Sequence, residues 1–143
     1  MTAKLKPVAL LSSAVLLFGC GRGGAGGGFD TAAYQQAVDA ALAKEAEARV
    51  LAVDRPCDTI LQCGVVSFTD PKDQCAIPVY QPYSLVTVTA AAAKVASDQQ
   101  LALAAHAREL SPQPLVACPA YASLPPVLAC VTTRCITGSG TPL

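Results

Sequence analysis

The chain has 143 residues, with 10 Lys+Arg against 10 Asp+Glu, one His, no Trp and 5% aromatic residues. Balanced charge excludes the basic footprint of a nucleic-acid binder, and the scarcity of aromatic rings argues against a stacked-ligand platform. The hydrophobic fraction of 52% overstates core-forming power, because alanine is abundant and large aliphatics are modest in number.

Residues 1–19 predict a signal peptide. Lys4 and Lys6 form a positive n-region, and residues 7–18 form an apolar stretch interrupted only by Ser12 and Ser13. Twelve helical residues span about 18 Å against a hydrocarbon core of about 30 Å, too short to cross a membrane. The stretch closes on Leu17-Phe18-Gly19-Cys20, with a small residue directly before the Cys. This tetrapeptide resembles the lipobox of bacterial lipoproteins. The resemblance implies cleavage before Cys20, diacylation of its thiol and acylation of the new amino group. Two or three acyl chains anchor durably where one binds marginally. The plain alternative is an ordinary secretory signal cleaved nearby, leaving Cys20 as an odd thiol. Gly21 follows the Cys, and no Asp stands beside it. By similarity to Gram-negative sorting, that implies the outer membrane.

Cleavage there would leave residues 20–143, with eight basic and ten acidic side chains, enough chain for one domain with a real core. Residues 20–28 then read as the lipidated Cys and a Gly-rich tether. At about 5–6 Å × √n its reach is near 15 Å. It is no phosphate loop, since no strand precedes it and no Lys-Ser/Thr closes it.

Residues 29–56 predict a helix. Asp30 can cap it, Phe29 and Tyr34 form a hydrophobic staple, and Pro56 lies beyond its end near Val53. Tyr34, Ala37, Val38, Ala41 and Leu42 share one face. Glu45 and Arg49 interrupt that face and stand at i,i+4. The expectation is a helix packed at its start and solvated towards its end, serving for packing or spacing rather than partner binding.

The unit at 57–136 is rich in cysteine. With Cys20 assigned to the anchor, Cys57, Cys63, Cys75, Cys118, Cys130 and Cys135 remain. Six cysteines in an exported chain predict three disulfides among fifteen possible pairings. Zinc is the rival reading, but no CxxC occurs and there is one His; no metal and no cofactor are expected. Residues 64–68 predict a strand and residues 70–73 a turn with Pro71 second. Residues 77–83 are extended, and Pro78 and Pro82 confine them to a sheet edge or an irregular segment. Residues 88–110 predict the longest helix, with Val88, Ala92, Val95, Gln99, Ala102, Leu103, His106 and Leu110 facing the sheet and Lys94, Ser97, Leu101, Ala104 and Arg108 facing away. His106 is expected as a core or half-buried, hydrogen-bonded residue, with a pH-sensing role as the alternative. A further strand is expected from residue 115 to Cys118. A hairpin follows over residues 127–131 and 134–136. With a two-residue loop Cys130 faces Cys135, so that disulfide is geometrically possible, although each Cys could equally reach another strand. Thr132-Thr133 is poor chemistry for a type I′ turn, which allows for a longer loop. Residues 137–143 read as a loose tail. The whole predicts a small disulfide-stapled α+β domain, two helices on an antiparallel sheet of three to four strands.

The cysteine unit is also similar to small cysteine-rich lipoproteins of proteobacteria. Shared features are Cys57-x5-Cys63-Gly64, Cys75, Tyr80-x-x-Tyr83-Ser84, a long helix, Cys118, and Ala129-Cys130-Val131-x-x-x-Cys135. Members often carry Gly-Gly-Pro after the third Cys and Asn-Gly in the last hairpin, where this chain has Ala76-Ile77-Pro78 and Thr132-Thr133. The resemblance implies an envelope lipoprotein with no assigned activity. The expected role is that of a non-enzymatic, lipid-anchored interaction or structural module, held to the membrane through Cys20 and docking a protein partner in the envelope. The alternative is an inhibitor of an exported or foreign hydrolase, presenting residues 68–74 or 120–126 on a stapled loop. An enzyme would have to be built from Asp54, Asp58, Asp70 and Asp73, which read instead as solvated turn residues.

Overall fold

The computed structural model describes residues 29–112, 117–118 and 124–138. Helix α1 (Thr31–Leu51) begins where the sequence supplies a cap. Asp30 Oδ1 accepts from the Ala33 N–H at 3.0 Å, and the Phe29 and Tyr34 rings stand 5.7 Å apart in the expected staple. A 3-10 turn (Ile60–Gln62) leads into β1 (Cys63–Thr69), which pairs antiparallel with β2 (Pro78–Ser84). Between them the Asp73 N–H donates to the Asp70 carbonyl at 3.1 Å, the expected turn around Pro71. Helix α2 (Ala90–Glu109) follows, then the antiparallel hairpin of β3 (Val127–Val131) and β4 (Arg134–Gly138). β4 runs two residues past the boundary expected at 136. Ala117 and Cys118 lie outside any strand.

The fold is α+β and disulfide-rich, as expected. The described residues form two sheets of two strands each, however, rather than one of three to four. The reason lies at the edges of the first sheet. On the outer edge of β1, the Ser67 carbonyl accepts from Ser97 Oγ at 2.8 Å. Gln100 Nε2 donates to the Thr69 carbonyl at 2.7 Å, and Gln100 Oε1 accepts from the Thr69 N–H at 3.3 Å. One side-chain amide thus makes at Thr69 the two bonds a third strand would make. On the outer edge of β2, Pro78 and Pro82 bring no N–H to donate, and the Ser84 N–H is taken by the Val53 carbonyl at 2.7 Å. Helix side chains occupy one edge and prolines blunt the other.

The same bonds set the rotation of α2 and overturn its expected face. Ala90, Ala93, Ala96, Ser97, Gln100, Ala104 and Ala107 are buried. Val88 and Val95, expected inside, are 103% and 55% exposed. Ser97 and Ala104, expected outside, are inside. Val88 precedes the helix, so its rotation decides only Val95, whose burial is worth roughly 1.5–3 kcal/mol. Stranding the Ser67 carbonyl and both Thr69 groups would cost about 1–3 kcal/mol each. Facing the polar pair inward therefore wins or ties, and the alanines around it let α2 lie close against α1 and β1.

Helix α1 is packed along its whole length, not only at its start. Ala37 and Val38 meet Ala107, while Ala48 and Ala52 join Val66, Phe68, Tyr83, Ala90, Ala93 and Ala96 in the main core. The expected Glu45–Arg49 pair forms at 2.7 Å. Arg49 also donates to Gln81 Oε1 at 3.1 Å and stands 4.5 Å over the Phe68 ring, which ties the end of α1 to the hairpin.

Tyr83 lies in this core at 5% exposure, and burial pushes its phenol above the ordinary value of 10.0, with Lys94 opposing and Asp98 adding. The fold favours the neutral ring. Its contribution to stability is whole below a pH of about 10 and is lost as pH rises through the unfolded value towards the raised folded one. An ultraviolet titration should therefore show a late tyrosinate step accompanied by falling urea resistance, and Tyr83→Phe should remove both. Ionisation of Tyr83 in the ordinary range, with the protein still folded, would contradict the placement.

Candidate functional site

All six cysteines of the stapled unit are paired: Cys57–Cys130, Cys63–Cys135 and Cys75–Cys118, with Cα separations of 6.0, 5.5 and 5.3 Å. All three lie within the range that disulfides tolerate. Cys130 and Cys135 do face each other across β3 and β4, yet each bonds to a different partner, so the hairpin is stapled twice to the segment around the 3-10 turn. The sulfurs of Cys57, Cys63 and Cys135 lie within 4.8 Å of one another. That spacing would suit a soft cation, but each sulfur is bonded to another sulfur and is not the thiolate a metal needs. Around this centre the Cys57 N–H donates to the Thr133 carbonyl at 3.2 Å and the Cys135 N–H to the Asp54 carbonyl at 2.9 Å. Cys20, the expected lipidation site, lies outside the described residues.

The remaining candidate residues are not brought together. Asp54 pairs with Arg134 at 2.7 Å beside the sulfur centre. Asp70 and Asp73 sit at the far end of β1 and β2, about 20 Å away at ~3.3 Å per residue. Asp70 Oδ1 accepts from the Lys72 N–H at 2.8 Å, and Asp73 Oδ1 from the Cys75 N–H at 2.9 Å. These carboxylates are turned on their own backbone, and Phe68 and Pro71 of the same loop are fully buried. The expected inhibitory loop at 68–74 is therefore built inward. Of the other, residues 124–126 are described, with Leu124 at 80% exposure.

His106 is not a core residue. Its side chain is 58% exposed, with Nδ1 3.6 Å from Glu109 Oε2. It borders a cavity of about 330 Å³ between α1 and α2, whose other walls are Ala33, Gln36, Ala37, Ala40, Leu103 and Leu110. Among the described residues, none of these walls carries a hydroxyl, thiol or carboxylate. A second open cavity of about 320 Å³ lies against Leu42, Phe68 and Val79, with Glu45, Asp70 and Lys72 at its rim.

A further unassigned surface is the outward face of α2. Val88, in the turn before the helix, is exposed, and on the helix itself Ala92, Val95, Gln99, Ala102 and His106 are all exposed. They recur at steps of four and three residues, the spacing of a helix–helix seam. The periodicity visible in the sequence was real, but most of it marks the outside; of the expected stripe Leu103 and Leu110 are half-buried, and Leu110 packs against Ala37, Val38 and Ala107. Ser97 and Gln100 are the residues that reasoning from aliphatic periodicity missed. Their signal was available: two uncharged polar residues three apart within an alanine face. No family model matches the chain, and neither a curated protein nor a solved structure matches it.

The hairpin tip carries visible strain. Thr132 and Thr133 have φ of 51° and 60°, so β3 and β4 close on a two-residue loop with both residues left-handed. The resistance expected from Thr-Thr is overridden by the two disulfides that fix Cys130 and Cys135. Left-handed backbone costs a non-glycine residue about 1–2 kcal/mol. Replacing Thr132-Thr133 by Asn-Gly should raise stability by about 1–2 kcal/mol in urea unfolding, whereas a loss would mean that the threonines hold the tip by contacts of their own.

Proposed function

We propose that this protein is a lipid-anchored, non-enzymatic module of the bacterial cell envelope that docks a protein partner on the outward face of α2. The observation that carries the docking reading is that face: exposed from Ala92 to His106, about four turns, and spaced for a helix, on a molecule whose first sheet has blunted edges. Dull edges with a helix stripe centred on Val95 favour docking. The loop at 68–74, closed on itself, offers less to a hydrolase than the inhibitor reading needs.

The anchoring reading rests on the N-terminal sequence, with support from the disulfides. With six cysteines paired among themselves, Cys20 has no cysteine left in the chain, and it stands after the apolar stretch and before the glycine tether. Cleavage there and acylation of its thiol and amino group would hold the domain to the outer membrane through a tether of about 15 Å. No helix among the described residues is long and apolar enough to cross a membrane.

Two variants test the two halves. Cells fed labelled palmitate should label the protein and retain it in the membrane fraction, and Cys20→Ser should lose both. Label retained in Cys20→Ser, or none in the parent, would contradict the anchor. The full chain, cross-linked in envelope extracts, should capture a partner that Val95→Glu no longer captures. A captured hydrolase that loses activity, with capture unaffected by Val95→Glu, would point to the inhibitor instead.

A further inference from the structure

The sulfur centre carries an inference independent of anchor and partner. We propose that it is a thiol–disulfide exchange site, at which an external thiol re-pairs the two disulfides as Cys57–Cys63 and Cys130–Cys135. Three observations support it. First, the sulfurs of Cys57, Cys63 and Cys135 lie within 4.8 Å of one another, so a thiolate released at one needs little movement to reach the next disulfide. Second, Cys130 and Cys135 are register partners on β3 and β4. The Cys135 N–H points away from β3 to the Asp54 carbonyl, which makes this a non-hydrogen-bonded pair with Cα atoms about 4.5 Å apart, inside the range for a bridge. Third, Gln62 Oε1 accepts from the Asp58 and Thr59 N–H groups at 2.5 and 3.4 Å, folding residues 58–62 back so that Cys57 and Cys63 meet.

The steps balance. Cys57 and Cys135 are 1% exposed and Cys63 7%, while Cys130 is half-buried and so is the point of entry. The thiolate of a small-molecule or protein thiol attacks Cys130 Sγ. A mixed disulfide forms there, and Cys57 Sγ leaves as a thiolate with the electron pair. Cys57 attacks Cys63 Sγ, and the Cys63–Cys135 bond breaks with Cys135 leaving as a thiolate. Cys135 attacks Cys130 across the hairpin, closes that bridge and releases the entering thiolate. Two disulfides are present before and after, no electrons are gained, and the thiol is regenerated. The hairpin passes from two covalent links with the 3-10 turn region to none, held there by the Cys57–Thr133 and Cys135–Asp54 backbone bonds and the Asp54–Arg134 pair.

Tryptic mapping of the full native chain reads this directly. Trypsin cuts after Arg49, Lys72, Lys94, Arg108 and Arg134, and is blocked at Arg55 by Pro56. Peptides 50–72, 73–94, 109–134 and 135–143 remain one linked species in the pairing of this structure. The protein is held without oxygen with substoichiometric reduced glutathione, quenched in acid and alkylated before digestion. Exchange should free peptide 50–72 unalkylated, two hydrogens lighter than its dithiol, and leave 135–143 bridged to 109–134. Persistence of the four-peptide species would overturn the proposal. Release of 50–72 with both cysteines alkylated would overturn it too, as simple reduction.

Discussion

The two hydrogen bonds between the Gln100 side chain and the backbone of Thr69 are the contact on which the rest of the molecule depends. A two-stranded hairpin is marginal by itself and has two edges to protect. Pro78 and Pro82 blunt one. The other is closed when α2 turns Ser97 and Gln100 towards β1. That rotation places the alanines of α2 against α1, which must then be packed to its end through Ala48 and Ala52. The stripe through Val95 is left on the outside. A polar contact therefore selects the apolar face of the helix, and the surface available to a partner follows from how the sheet ends.

Local signals were legible wherever the chemistry was local. Asp30 with Phe29 and Tyr34 marked the start of α1, Glu45 and Arg49 paired as their spacing required, and Pro71 placed the first turn. Pro78 and Pro82 correctly marked β2 as an edge strand. Three features were not legible, for a shared reason. The sheet count, the buried face of α2 and the disulfide pairing are each settled by partners distant in sequence. Val95 outranks Ala96 on any hydrophobicity scale, but only Ala96 lets the helix approach the hairpin closely. His106 inherited its expected burial from the same misplaced stripe and moved out with it. The two-residue loop at Thr132-Thr133 was discouraged by its own residues and imposed by Cys130 and Cys135.

The staples and the core divide the work. An alanine-rich interior buries little area per residue, so covalent constraint of the unfolded chain carries a share that larger aliphatics carry elsewhere. Two of the three bridges converge at one end of β1, where β3 and β4 have few backbone bonds to the rest. The third, Cys75–Cys118, ties the far end to the chain beyond α2. The hairpin is held mainly by sulfur, which is why a centre that can re-pair would change its attachment while α1, α2 and the first sheet stay in place.

The rotation of α2 separates two neighbouring positions, Val95 outside and Ala96 inside. Val95→Glu places a charge on the exposed stripe and should change the free energy of urea unfolding by no more than about 0.5 kcal/mol. Ala96→Glu places the same charge against Val66 and Phe68 and should cost several kcal/mol or prevent folding. The reverse order, with Val95→Glu destabilising and Ala96→Glu tolerated, would put the Val95 stripe inside and rule out this rotation.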